Sequence, residues 1–114
     1  MRYLYIIYSG ELDKYYVGET QDVEKRLMMH NEHHFKKAFT RVACDWELKL
    51  VFACQSREDA LFLEKFIKRI KSRKFIQRVI NNSEILVDIL KKNSHLVPPR
   101  LRGWRHHLLN LNFH

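Results

Sequence analysis

Hydrophobic and polar positions alternate at the start of the chain and change period further on. Residues 2–8, RYLYIIY, are aromatic and β-branched and predict a first strand. A polar turn over 9–14 separates them from Tyr15-Tyr16-Val17-Gly18-Glu19, a second strand, so the pair reads as an antiparallel hairpin with a longer loop. Gly18 near the end of that strand signals a close backbone approach or a bulge. Thr20 then reads as a helix N-cap, with Asp22 and Glu24 in the first turn, where the helix dipole favours acids. That helix runs to about residue 33, with Val23 and Leu27 on its buried face. Residues 36–44 form a basic loop, and 46–52 alternate as a third strand.

Ser56-Arg57-Glu58-Asp59 fits the start of a capping box and opens the longest helix, ending near Ser72. Its apolar face comprises Ala60, Leu63, Phe66, Ile67 and Ile70. Residues 75–80 form a further turn or short helix. Ser83 caps a last helix over 84–92, and Asn93 suits its C-terminal end. The order β-β-α-β-α-α predicts an α/β (α+β) fold: a small three-stranded antiparallel or mixed sheet flanked by helices. It cannot be all parallel, because the hairpin fixes one antiparallel pair. Residues 1–92 make one domain. From 93 to 114 the chain contains no acid but has Arg100, Arg102 and Arg105, with Pro98-Pro99 blocking a helix. Trp104, Leu108, Leu109, Leu111 and Phe113 leave two readings for this tail, docked or disordered.

Composition narrows the class. The 114 residues are 46% hydrophobic and 30% charged, ordinary for a globular chain, and no apolar run nears the roughly 18 residues that span a bilayer. No signal-peptide layout precedes the first strand. Two cysteines make no disulfide framework and have no metal-site spacing, so the expected location is the reducing cytoplasm. Lys and Arg number 21 against 13 Asp and Glu, a formal charge of +8 that favours a polyanionic partner. The excess is concentrated: Lys65, Lys68, Arg69, Lys71, Arg73, Lys74 and Arg78 follow one another with no acid between them, a phosphate track that Lys36, Lys37 and Arg41 extend.

Three groups carry candidate chemistry. Tyr5 shares a strand face with Tyr3, and the hairpin brings Tyr16 near them. A tyrosine, with an ordinary pKa of about 10, serves as a base only where a cation or hydrogen bond favours the phenolate. Arg26 and His30 stand at i and i+4 on the first helix, a forked phosphate donor beside a proton carrier. Glu64 lies about 40° from Ala60 and about 60° from Ile67 around the long helix, on the border of the apolar stripe. A carboxylate there needs a cationic partner, either a basic side chain or a divalent ion.

These residues, in this order, resemble the GIY-YIG nuclease family, particularly its small stand-alone bacterial members, and are similar to the N-terminal nuclease module of the bacterial repair excinuclease. Tyr3-Leu4-Tyr5 stands at the first motif and Tyr16-Val17-Gly18 at the second. Arg26 with His30-Asn31 matches the helix-one pattern, and Glu64 in Ala60-Leu61-Phe62-Leu63-Glu64 matches the metal-binding glutamate. The resemblance covers residues 2 to about 92. Tyr3 replaces the family's first glycine, and neither Asn81 nor Asn82 matches the asparagine that often follows the glutamate helix.

The resemblance implies a divalent-metal-dependent endonuclease acting on DNA in repair, recombination or processing, with one Mg²⁺ or Mn²⁺ on Glu64. It implies catalytic roles for Tyr5, Tyr16, Arg26, His30 and Glu64, and leaves open which tyrosine is the base. Lys36, Lys37, Arg41, Lys68, Lys71, Arg73 and Lys74 are the expected nucleic-acid contacts. A phosphate track does not itself distinguish DNA from RNA. The alternative is a catalytically inactive nucleic-acid-binding module on the same scaffold.

Overall fold

The computed structural model describes residues 1–32 and 43–96. Three strands, β1 (Arg2–Ser9), β2 (Lys14–Thr20) and β3 (Trp46–Cys54), form one antiparallel sheet in the order β2-β1-β3. Helix α1 (Val23–Asn31) follows β2. The helices α2 (Arg57–Ile70), α3 (Arg73–Asn81) and α4 (Glu84–Leu96) follow β3. The α+β architecture is as expected, and of the two readings of residues 75–80 the helix holds, as part of α3, one element more than the expected order counted. Its apolar residues Phe75 and Val79, one helical turn apart, are both buried.

The sheet is covered on both faces, which is why β1 buries Leu4, Tyr5, Ile6 and Ile7 in succession, each at most 1% exposed. Leu4, Ile6 and Val17 pack with Ala60, Leu63, Phe66 and Ile67 of α2 and with residues of α3 and α4. Burial of each such large side chain contributes roughly 1.5–3 kcal/mol. On the opposite face Tyr5 and Ile7 pack with Ala43, Trp46, Tyr16 and the α1 residues Val23 and Leu27.

Strand β3 serves both faces through a bulge. Ile6 pairs with Leu50 and Ile7 with Leu48, so Lys49 is the extra residue. Leu50, Phe52 and Cys54 therefore face the larger core, whereas Trp46 faces the other.

Several boundaries differ from the sequence reading. Thr20 does not cap α1. It is still paired with Tyr3 in the sheet, and its hydroxyl accepts from the Asp22 amide at 3.1 Å. Asp22 is the cap, its carboxylate accepting from the Lys25 amide at 3.0 Å. Ser56 caps α2 as expected. Lys71 takes a left-handed conformation that ends that helix at Ile70, leaving Ser72 to cap α3. Asn93 does not end α4, which runs on to Leu96. The basic loop with Lys36, Lys37 and Arg41, and the tail from residue 97, lie outside the described residues.

Candidate active site

Tyr5 and Gly18 are direct partners across the β1–β2 ladder, and both side-chain positions face α1. The missing side chain of Gly18 makes room for the Tyr5 ring: a Cβ there would stand 2.6 Å from the phenol oxygen. Below the ring, the Tyr5 hydroxyl and His30 Nε2 are 2.8 Å apart in a hydrogen bond. His30 is in the last turn of α1 and 1% exposed. Tyr16, diagonal to Tyr5, closes the group, with ring centroids 6.4 Å from Tyr5 and 4.8 Å from His30. Trp46 stands 6.4 Å from His30 on the far side.

Burial dominates the protonation of this group. It pushes the Tyr5 phenol well above its ordinary value of 10, aided by Tyr16, Glu64 and Glu19; Arg26 pulls the other way without prevailing. Burial and the Arg26 guanidinium together push His30 down to about 4. At neutral pH the Tyr5–His30 bond therefore joins a neutral phenol to a neutral imidazole.

Arg26 lies one turn before His30 on α1 and is half-buried. It also lines an open groove of about 450 Å³ together with Arg2, Gln21 and Lys25. Glu64 enters from α2, its side chain 19% exposed on the border of the apolar stripe. Its carboxylate accepts from Lys68 at 2.6 Å, and the same ammonium stands 5.3 Å from the Tyr16 ring centroid. Tyr5, Tyr16, Arg26, His30 and Glu64 thus lie in one neighbourhood, although they come from two strands and two helices.

A family model, the GIY-YIG catalytic domain, matches residues 1–77. The chain belongs to the GIY-YIG family. Comparisons with curated proteins and with solved structures gave no match. The matched span runs from β1 into α3 and contains the whole neighbourhood just described. GIY-YIG domains are nuclease domains, which implies a DNA substrate. Among the described residues no helix is long and apolar enough to cross a membrane.

No group of three or more His, Cys, Asp or Glu side chains that could hold a metal ion is present among the described residues. A closed zinc-type cage is therefore not available there. One half-buried carboxylate, Glu64, suits a hard divalent ion that keeps several waters and takes further oxygen ligands from a phosphate. These residues fit Mg²⁺ or Mn²⁺.

The basic residues separate into different settings. Lys68 is inside the site, while Lys71 and Lys74 are exposed near the α2–α3 junction. Arg73 is engaged with the hairpin: it donates to the Asp13 carbonyl at 2.9 Å and pairs with its carboxylate. It also stacks over Tyr15 and Tyr8 at 5.4 and 6.0 Å. Asn81 and Asn82 are exposed at the end of α3.

Sequence reasoning overlooked the clamp formed by Asn31, whose amide accepts from the Trp46 N–H at 2.8 Å and donates to its carbonyl at 3.2 Å. Lys68, expected in the phosphate track, is also paired with Glu64. The i, i+4 spacing from Glu64 was the available signal for that pair.

Proposed function

We propose that this GIY-YIG domain is a divalent-metal-dependent endonuclease that hydrolyses DNA phosphodiester bonds in repair, recombination or nucleic-acid processing in the cytoplasm. The observation that carries the reading is the convergence of Tyr5, Tyr16, Arg26, His30 and Glu64 beside the β1–β2 pair. The two cysteines, Cys44 and Cys54, are free thiols, in keeping with a reducing compartment.

Glu64 would hold the Mg²⁺ or Mn²⁺ ion, which would polarise the phosphodiester and stabilise the departing oxygen. Arg26 directs its fork at the non-bridging oxygens, where charge builds in the transition state. Of the two tyrosines, Tyr16 meets the attacking water. Tyr5 is only 1% exposed and its hydroxyl is engaged by His30, whereas Tyr16 is half-buried under the Lys68 ammonium. Its phenol oxygen takes the proton of the water as the water oxygen attacks phosphorus. The bond to the leaving sugar oxygen then breaks, and that oxygen takes a proton from solvent. The neutral Tyr5–His30 pair fixes the position of Tyr16. Lys71 and Lys74 hold the flanking phosphates.

Labelled single strands, duplexes, flaps and four-way junctions incubated with Mg²⁺, Mn²⁺ or EDTA test this reading. Strand cleavage confined to the metal-containing reactions is the expected result. Salt-sensitive binding with no cleavage of any substrate would instead favour the inactive binding module, which the exposed setting of Asn81 and Asn82 is the one observation to favour.

A further inference from the structure

Glu64 already has a cation on it. Lys68 Nζ lies 2.6 Å from Glu64 Oε2, one helical turn on, and the same ammonium is 5.3 Å from the centre of the Tyr16 ring. The two side chains differ in their access to water, Glu64 at 19% and Lys68 at 45% exposure. A carboxylate so far removed from solvent needs a counter-charge, and a partner as exposed as Lys68 can leave without disturbing the helix. Its flexible four-carbon stem lets the ammonium swing into water.

A divalent ion on Glu64 Oε2 would take lone pairs of the oxygen that Lys68 now engages, at about 2.0–2.1 Å. An ammonium hydrogen-bonded to Oε2 competes with a dication for that oxygen, and the two like charges repel at such close range.

The geometry points to Lys68 as a displaceable counterion of Glu64, holding the carboxylate beside Tyr16 until a divalent cation takes its place. This rests on the assignment of Glu64 as the metal ligand of the proposed nuclease. Lys68 is thus a positioning residue that sets the metal concentration at which the site fills, rather than one more cation of the phosphate track.

The test is Mn²⁺ binding to the full chain in the absence of nucleic acid, followed by titration calorimetry or by the loss of free-ion paramagnetic signal. Lys68→Met removes the charge and retains the stem, and should bind Mn²⁺ about five- to tenfold more tightly than wild type. Lys68→Arg restores a cation and should lie close to wild type. In a Glu64→Gln background the gain from Lys68→Met should vanish. Unfolding temperatures within a few degrees of wild type exclude misfolding as the cause.

Equal or weaker Mn²⁺ binding by Lys68→Met would overturn the inference, and so would a gain that persists without Glu64. Absence of Mn²⁺ binding in both wild type and Lys68→Met would also overturn it. Tighter binding by Lys68→Met in a protein that cuts no substrate would support the counterion role while contradicting the nuclease reading.

Discussion

The ring of Tyr5 lies against the backbone of Gly18 in the neighbouring strand, so closely that a single added methyl group would stand 2.6 Å from its ring carbon and oxygen. Gly18 has no left-handed backbone to justify a glycine, so the reason is space alone. Gly18→Ala should push the ring off its bond to His30, since Tyr5 is buried and has nowhere to retreat. Overpacking of this kind costs about 1–3 kcal/mol. The expected result is a lower midpoint in urea together with loss of cleavage. A variant as stable and active as wild type would show that the contact does not constrain the site.

His30 makes stability depend on pH in a defined window. Its pKa is about 4 in the folded protein against an ordinary value of 6.5. Above the ordinary value both folded and unfolded chains hold it neutral. As pH falls from there towards 4, the unfolded chain takes up a proton that the folded one refuses, and stability is lost. The shift corresponds to about 3 kcal/mol, levelling off below pH about 4. Urea unfolding of wild type and His30→Gln at pH 7.5 and pH 4 should show the variant losing less stability on acidification. Equal losses would mean that His30 titrates normally.

Asn31 joins the end of α1 to the start of β3 through both polar groups of Trp46. Asn31→Ala strips those groups of their partners, which costs about 1–3 kcal/mol. Because Trp46 stands beside His30, cleavage should fall along with the unfolding temperature. Asn31→Asp keeps the acceptor for the Trp46 amide but sets a carboxylate against its carbonyl, and should be no better than alanine.

Arg26→Lys keeps the charge and discards the fork. If Arg26 binds the non-bridging oxygens in the transition state, the cleavage rate should fall about 10²-fold or more while nucleic-acid binding changes little. Single-turnover rates at saturating protein separate the two effects. A rate within twofold of wild type would place Arg26 outside the reaction.

Much of this arrangement was visible in short-range patterns. The hairpin, the third strand and the Ser56 cap follow from alternation and from one cap signal, and the placement of Glu64 follows from helical angles. Tyr16 lies diagonal to Tyr5, as hairpin geometry requires. What escaped depends on pairing across the fold. Thr20 and Asp22 are equally good caps two residues apart, and only the ladder partner Tyr3 decides between them. The bulge at Lys49 leaves an unbroken alternation in the sequence while sending Trp46 and Leu50 to opposite faces. Arg73 looks like any member of a basic run until Asp13 and two tyrosine rings meet it from the hairpin.

If Glu64 is the metal ligand of a nuclease, Glu64→Gln removes the chemistry and leaves the fold in place. Wild type and variant should be compared on the best-cut DNA substrate, with cleavage followed over a Mg²⁺ titration and binding followed in EDTA. Cleavage should be lost at every Mg²⁺ concentration while binding in EDTA is retained. Cleavage by Glu64→Gln at the wild-type rate would contradict that role of Glu64.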